Sequence, residues 1–183
     1  ERGALHLVFD PADTRTVSPG VERIGREAAL KLEPGLARDV AGAQWAPGEA
    51  AADPRWLVLS LMHACRLAGV RVETGVAIER LIESQGRVAG VRAAGDTRTF
   101  DHVVLAAGAW TGALLEASHL PGSRVRPVKG EILSLAADRA AMPVSRIVWT
   151  DHVYISPHAD GRLVIGASQR EAGFDTTLDH AGL

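Results

Sequence analysis

The sequence has 183 residues, of which 46% are hydrophobic and 23% charged, a balance typical of a globular protein with an apolar core. Its formal net charge of −2, without a cluster of Lys or Arg, excludes a general affinity for nucleic acid or an anionic membrane. The longest apolar runs are far too short to span a bilayer. The single cysteine, Cys65, excludes an intrachain disulfide and favours a reducing compartment, so we expect a cytoplasmic protein.

The first third of the chain alternates strand and helix signals. Residues 5–9 predict a short strand, and residues 21–31 have the apolar spacing of a helix that ends before Pro34. Residues 40–45 predict a second strand. Because the chain begins with Glu1 rather than Met and ends without a closing signal, we interpret both ends as cuts in a longer protein.

The clearest helix signal covers residues 54–68. Asp53 is a good N-cap, Pro54 suits the first helical position, and Gly69 fits just past the end. Its apolar stripe consists of Leu57, Leu61, Ala64, Cys65 and Ala68. This spacing predicts that Cys65 is a small core residue rather than a nucleophile.

The middle of the chain has the pattern of strands. Residues 70–73, 76–83, 88–93 and 97–100 predict strands, with hairpin turns at residues 85–86 and 94–96. The continuous apolar run at residues 103–107 is typical of a central parallel strand buried on both faces, and Gly108 ends it before a helix at residues 110–116.

The last third predicts an antiparallel meander. Its strands are expected at residues 132–135, 147–150, 153–156 and 163–167, with a two-residue turn at Asp160-Gly161 between the last two. The whole pattern indicates an α+β or α/β fold with two sheets.

Three ordered strings resemble one protein family. They are GVRVETGVAIERL with FDHVVLAAGAWTGALL within residues 69–115, VRPVKGEILSL at residues 125–135, and DHVYISPHADGRLVIGAS at residues 151–168. Together they resemble the D-amino-acid oxidase family of flavoproteins, and within it the glycine oxidase branch of thiamine biosynthesis. The resemblance implies part of a doubly wound FAD-binding domain at residues 46–123 and an antiparallel-sheet substrate domain at residues 1–45 and 124–183.

The resemblance also implies a function. The family's reaction is oxidation of a small amine or amino acid, glycine being favoured, by hydride transfer to FAD, giving an imine and then an oxo acid and ammonia. Oxygen as acceptor would give peroxide, whereas a D-amino-acid dehydrogenase would use another acceptor, and a sarcosine-type oxidase is a further alternative. The resemblance leaves assembly as a homo-oligomer open.

Two family features are missing from the sequence. The Gly-x-Gly-x-x-Gly turn that holds the FAD pyrophosphate at a helix N-terminus does not occur, and neither does the family's carboxylate-binding arginine beyond the last strand. We therefore expect this chain by itself to bind FAD weakly and to be inactive. A non-catalytic binding module is the alternative of another class.

Residue by residue, the resemblance implies a cofactor set and a substrate set. The cofactor set is Val76, Ala107, Gly108, Trp110 and Lys129, and the substrate set is Tyr154, Trp149 and His152. No catalytic residue is assigned, because hydride transfer from a neutral amine needs no strong base, and His152 is expected to line the pocket. Trp149 stands where the glycine oxidase pattern has a tyrosine. The histidines are not spaced as metal ligands, so no metal site is expected.

Overall fold

The computed structural model describes residues 3–178, which form two compact units. The first unit contains the residues up to Pro54, Gly130–Gln169 and the described residues from Thr177 onward, and the second contains Arg55–Lys129 and Arg170–Thr176. In chain order the elements are β1 (Ala4–Val8), β2 (Glu22–Gly25), α1 (Arg26–Leu32), β3 (Gly42–Ala46), α2 (Pro54–Leu67), β4 (Ile78–Ser84), β5 (Arg87–Ala93), β6 (Asp96–Thr99), α3 (Thr111–Ala117), β7 (Ile132–Ala136), β8 (Ile147–Trp149), β9 (Tyr154–Pro157) and β10 (Arg162–Gly166), with 3-10 turns at Gly108–Trp110 and Arg139–Ala141.

The first unit is built on a seven-stranded sheet in the order β2-β3-β1-β8-β9-β10-β7. All neighbouring strands are antiparallel except β1 and β8, which are parallel and pair from Ala4↔Ile147 to His6↔Trp149. Strand β1 therefore joins the antiparallel pair β2 and β3 to the later strands. The short antiparallel strands β8, β9 and β10 form the meander that the alternating sequence predicts.

One face of this sheet carries the hydrophobic core. Alternation along the strands places Leu5, Val148 and Leu163 on the same face, where they are at most 6% exposed. Val40, from the segment after α1, is 1% exposed and packs into the same cluster. The opposite face is consequently free to carry polar and aromatic side chains.

A buried carboxylate ties α1 to the segment that leads into β8. Glu33, directly after α1, is 3% exposed. Its Oε2 accepts hydrogen bonds from the Ser145 backbone N at 2.8 Å, the Ser145 Oγ at 3.0 Å and the Arg146 backbone N at 3.1 Å. The Arg146 guanidinium lies 3.7 Å from the same oxygen and donates to the Leu32 carbonyl. These bonds supply the partners that a buried charge requires.

The second unit contains the three-stranded antiparallel sheet β4-β5-β6. Both hairpin turns place two residues at positive φ, Gln85 and Gly86 in one and Ala94 and Gly95 in the other. Two consecutive positive φ angles match the twist of the flanking strands, which is why such turns connect hairpins. Ser118, at the end of α3, fastens that helix to the sheet, because its Oγ accepts from the Leu81 backbone N at 2.8 Å.

Most of the strand and helix predictions are confirmed within one to three residues. Strand β1, helix α2, the hairpins β4-β5-β6, helix α3 and the strands β7 to β10 all lie where their patterns predict them. The turn near Asp160 is longer than predicted. The His158 backbone N donates to the Arg162 carbonyl at 2.8 Å, which leaves three residues in the loop, the last being Gly161 at φ 88°.

Several other predictions are wrong. Residues 21–31 form strand β2 before α1 rather than one helix, because residues 22–25 pair with β3. Residues 70–73 and 103–107 are not strands, since no described residue pairs with them, and Val104 is 90% exposed. The apolar stripe of α2 is not buried either: Leu57 is 49% and Leu61 55% exposed, and Cys65 is only half-buried. These segments have the composition of buried elements, but no layer of residues 3–178 covers them.

None of the helices in the described part of the chain combines the length and the apolar character needed to cross a membrane. Within the same residues, no group of three His, Cys, Asp or Glu side chains could hold a metal ion.

We expect Glu33→Ala to lower the free energy of unfolding of the first unit by about 3 kcal/mol, because it leaves the backbone N–H groups of Ser145 and Arg146 without their acceptor and removes the carboxylate beside the half-buried Arg146 guanidinium. Urea unfolding of the full-length protein measures this change. Glu22→Ala is the matched control: Glu22 is exposed on β2, and its removal should change stability by less than about 0.5 kcal/mol. Equal effects of the two substitutions would show that the hydrogen bonds of Glu33 stabilise the folded state no more than hydrogen bonds to water would.

Candidate functional site

An unbroken row of paired residues crosses the sheet of the first unit on the face opposite the core. We call it the aromatic row, and it consists of Gln44, His6, Trp149, Tyr154, Gly166 and Ile132, each paired with the next on the neighbouring strand. The adjacent row contains Leu5, Val148 and Ile155, which face the core. Because side chains alternate between the two faces, the aromatic row points away from the core.

Trp149 is held from one side by an imidazole. Its ring lies 4.8 Å from the His6 ring, with 32° between the ring planes. Trp149 is nevertheless 47% exposed, so the rest of its ring is open to solvent. The His6 Nε2 lies 3.1 Å from the Asp151 Oδ1. His6 is thus fixed between an aromatic face and a carboxylate.

A chain of charges extends from Asp151. The Arg15 Nη1 donates to the Asp151 Oδ1 at 2.6 Å, and Arg15 also pairs with Asp13 at 2.6 Å. The hydrogen bond from Arg15 holds the pKa of Asp151 below its ordinary value, with a smaller contribution from His6. Asp151 is therefore ionised near neutral pH and can only accept hydrogen bonds, so the His6 Nε2 carries the proton of their contact.

The Tyr154 ring lies over the neighbouring strand β10. It is half-buried, and a Cβ atom built on Gly166 would lie 3.0 Å from the Tyr154 Oη and 3.1 Å from its Cζ. The same Cβ would lie 2.6 Å from the Ile132 Cγ2. The tyrosine ring therefore occupies the space that the missing side chain of Gly166 leaves over β10.

His152 lies in the turn between β8 and β9, so one hairpin carries all three predicted substrate residues. Its backbone N donates to the Thr150 Oγ1 at 3.2 Å, which fixes the turn. The His152 side chain borders a cleft of about 250 Å³ at the end of the sheet, together with Glu131, Leu133, Val153, Ile165, Gly166, Ala167 and Ser168. Tyr154 and Trp149 do not line this cleft and belong to the opposite face.

The predicted cofactor residues all lie in the second unit. Ala107 directly precedes the 3-10 turn Gly108–Trp110, and Gly108 has φ 53° with no atom within 4 Å of the place where a Cβ would stand. Trp110 is 65% exposed, and its ring stacks on Phe174 at 5.6 Å. The turn thus presents an open backbone beside an exposed aromatic pair.

Lys129 meets the same segment as Trp110. Its backbone forms an isolated bridge with Arg170, and its Nζ lies 3.1 Å from the Asp175 Oδ2, with the side chain only 8% exposed. Residues 170–176 therefore contact both Lys129 and Trp110.

Val76 is half-buried in the segment before β4. The preceding Gly75 has φ 75° and no atom within 4 Å of the place where a Cβ would stand. The structure brings Trp110 and Lys129 to one segment, residues 170–176.

Sequence reasoning missed several residues that shape these surfaces. They are His6 and Asp151, which hold Trp149; Gly166, which makes room for Tyr154; Phe174, which stacks on Trp110; and Ser156, whose Oγ is buried without a hydrogen-bond partner among the described residues. Alternation along β1 gave a usable signal for His6, because it is the polar residue between two buried leucines. The pairing of β1 with β8, more than 140 residues later, gave none.

Comparison with known proteins shows which family this is. Residues 2–183 match the family described as DAO, FAD dependent oxidoreductase, and the chain belongs to that family. The bifunctional protein ThiO/ThiG of Trichormus variabilis is 33% identical over 155 residues, which are 84% of this chain and 23% of that protein. The glycine oxidase of Bacillus licheniformis is 29% identical over 186 residues, 99% of this chain and 49% of that protein.

The fold agrees with this assignment. The crystal structure of glycine oxidase from Geobacillus kaustophilus superposes with a TM-score of 0.83 and 26% identity, covering 100% of this chain and 51% of that one. The chain thus spans about half the length of that structure and less than half of the curated relatives it matches. FAD is the cofactor of the family.

The described residues fit a flat cofactor. The open backbone at Gly108 and the exposed ring of Trp110 offer an uncrowded surface to a ring system, and Gly75 leaves the backbone beside Val76 accessible. Ala107 lies directly before the 3-10 turn Gly108–Trp110, and helix α3 follows this turn. Lys129 could offset negative charge, although Asp175 already neutralises part of its own.

We expect Gly108→Val to reduce FAD occupancy of the full-length protein to less than half, because a branched side chain would enter the open space and strain the positive φ. The flavin absorbance of the purified protein, relative to its protein concentration, measures the occupancy. Gly69→Val is the matched control, since Gly69 has φ 76°, equally open space and a position in the same unit after α2. Equal losses in both variants would mean that backbone strain alone explains the effect.

Proposed function

We propose that the protein of which this chain is part oxidises a small amine or amino acid with FAD, with glycine as the favoured substrate. The observation that carries the proposal is the single hairpin β8–β9, which presents Trp149, His152 and Tyr154 in a chain of the FAD dependent oxidoreductase family. The names of the relatives, glycine oxidase and ThiO/ThiG, support the choice of substrate class. The products would be an oxo acid and ammonia, formed through an imine.

FAD, when bound, supplies the acceptor for a hydride from the carbon that bears the amine. The chain's own residues bind and orient the substrate. Tyr154 can donate its hydroxyl to a polar group of the substrate, because no described residue hydrogen-bonds to that hydroxyl. Trp149 provides an apolar wall. His152 borders the neighbouring cleft and needs no role as a base, since a neutral amine already releases hydride readily.

The domain assignment follows from the same proposal. Residues 1–45 and 124–183 would belong to the substrate domain and residues 46–123 to the FAD-binding domain. The exposed apolar side chains of α2 and of Val104 support it, because apolar surface of this kind is typical of elements that lie inside a doubly wound domain. The proposal places the protein in the cytoplasm, in keeping with a single cysteine.

A dehydrogenase that passes electrons to an acceptor other than oxygen is the second candidate. The D-amino acid dehydrogenase of Methylobacterium sp. favours it, with 33% identity over 174 residues, 91% of this chain. The two candidates share the substrate surface and differ in the electron acceptor.

Turnover of a panel of amines by the full-length protein tests the proposal. The panel contains glycine, N-methylglycine and several D- and L-amino acids, each measured with a peroxide assay and with an artificial dye acceptor. Peroxide formation with glycine is the expected result. Dye reduction without peroxide would favour the dehydrogenase, and no turnover with any amine would overturn the proposed function in favour of a non-catalytic module.

We expect Tyr154→Phe to lower kcat/KM for glycine about two- to tenfold, since it removes one hydrogen bond with a net value of about 0.5–1.5 kcal/mol. Steady-state kinetics of the full-length protein measure this change. Thermal unfolding serves as the control. A loss of stability with unchanged kinetics for every amine would reduce Tyr154 to a packing residue.

A further inference from the structure

Trp149 has a ring-bearing neighbour on each side of the aromatic row, yet it contacts only one of them. His6 on β1 and Tyr154 on β9 are both its direct cross-strand partners. Among the described rings, the Trp149 ring lies against the His6 ring at 4.8 Å and a tilt of 32°, and it makes no ring contact with Tyr154. The indole therefore leans toward β1.

Tyr154 leans the opposite way. Its Oη and Cζ lie 3.0 Å and 3.1 Å from the place where a Cβ of Gly166 would stand, on the partner strand β10. Any residue with a side chain at position 166 would occupy this space and push the phenol ring back. The two rings thus lean away from each other across the boundary between β8 and β9.

We propose that His6 and Gly166 set the width of a slot between Trp149 and Tyr154, and that this slot takes an apolar substituent of the amine substrate. The inference rests on the proposed function and extends it to substrate size. The walls of the slot are two aromatic side chains, and the nearest carboxylate, Asp151, is engaged by Arg15 and His6. An apolar group therefore fits the slot better than a charged one.

His6 acts as a positioning residue, because it works through the indole. The ionised Asp151 accepts the hydrogen bond from its Nε2–H, and this bond fixes the plane of the imidazole against which the Trp149 ring lies. Without the imidazole, the remaining aromatic partner within reach of Trp149 in the row is Tyr154. Stacking between them would then close the slot.

The first test compares substrates of different size in the full-length protein. The readout is kcat/KM for N-ethylglycine and for D-2-aminobutyrate, each divided by kcat/KM for glycine. We expect His6→Ala to lower both ratios roughly tenfold, the usual effect of one methylene group in an apolar pocket. His6→Phe should restore them, because it keeps the stacked ring.

His158→Ala is the matched control, since it removes a histidine of the same unit from a hairpin turn outside the aromatic row. Gly166→Ala should lower the ratios in the same direction by pushing the Tyr154 ring toward Trp149. Ratios that stay unchanged or rise in both His6→Ala and Gly166→Ala would overturn the slot.

A second measurement does not depend on turnover. In protein labelled with 5-fluorotryptophan, the ¹⁹F signal of Trp149 is assigned by its loss in Trp149→Phe. We expect that signal to move in His6→Ala, to return toward its original position in His6→Phe and to stay in place in His158→Ala. A signal unmoved in His6→Ala would overturn the positioning role. If the unchanged protein oxidises no amine, the proposed function fails, and the ¹⁹F signal alone decides whether His6 holds the indole.

Discussion

The parallel pairing of β1 with β8 is the constraint on which the first unit depends. It joins the antiparallel pair β2 and β3 to the meander β8–β9–β10 through only three paired positions, and Leu5 on β1 is completely buried. The Glu33 carboxylate reinforces it from the side, because it fixes the residues directly before β8. If this pairing were lost, the sheet would separate into one part of three strands and another of four, and the shared core cluster would be divided between them.

The same pairing also creates the candidate substrate surface. His6 reaches Trp149 only because β1 lies beside β8, and Asp151 then holds His6 from the following turn. The surface is therefore assembled from residues at both ends of the first unit's sequence. Two of the predicted cofactor residues are held by a different part of the chain in the second unit, because residues 170–176 contact both Lys129 and Trp110.

Local features of the fold could be predicted from the sequence, whereas long-range ones could not. The hairpin at Gln85-Gly86 and the helix after Asp53 follow from turn chemistry and capping, which act over a few residues. The apolar run at residues 103–107 has the composition of a buried strand, but a strand also requires a paired neighbour, and no described residue pairs with this run. The substrate residues came from family strings, while Gly166 and His6 depend on pairing partners that no local pattern specifies.

The order of the elements also affects how the protein forms during translation. A ribosome that has just made β3 must add about a hundred further residues before β8 exists, which takes on the order of ten seconds. Throughout that interval β1 has an unpaired edge and one uncovered apolar face, the combination that promotes aggregation of nascent chains. A chaperone that shields β1 until Trp149 has left the exit tunnel would therefore affect the yield of this protein more than its final stability.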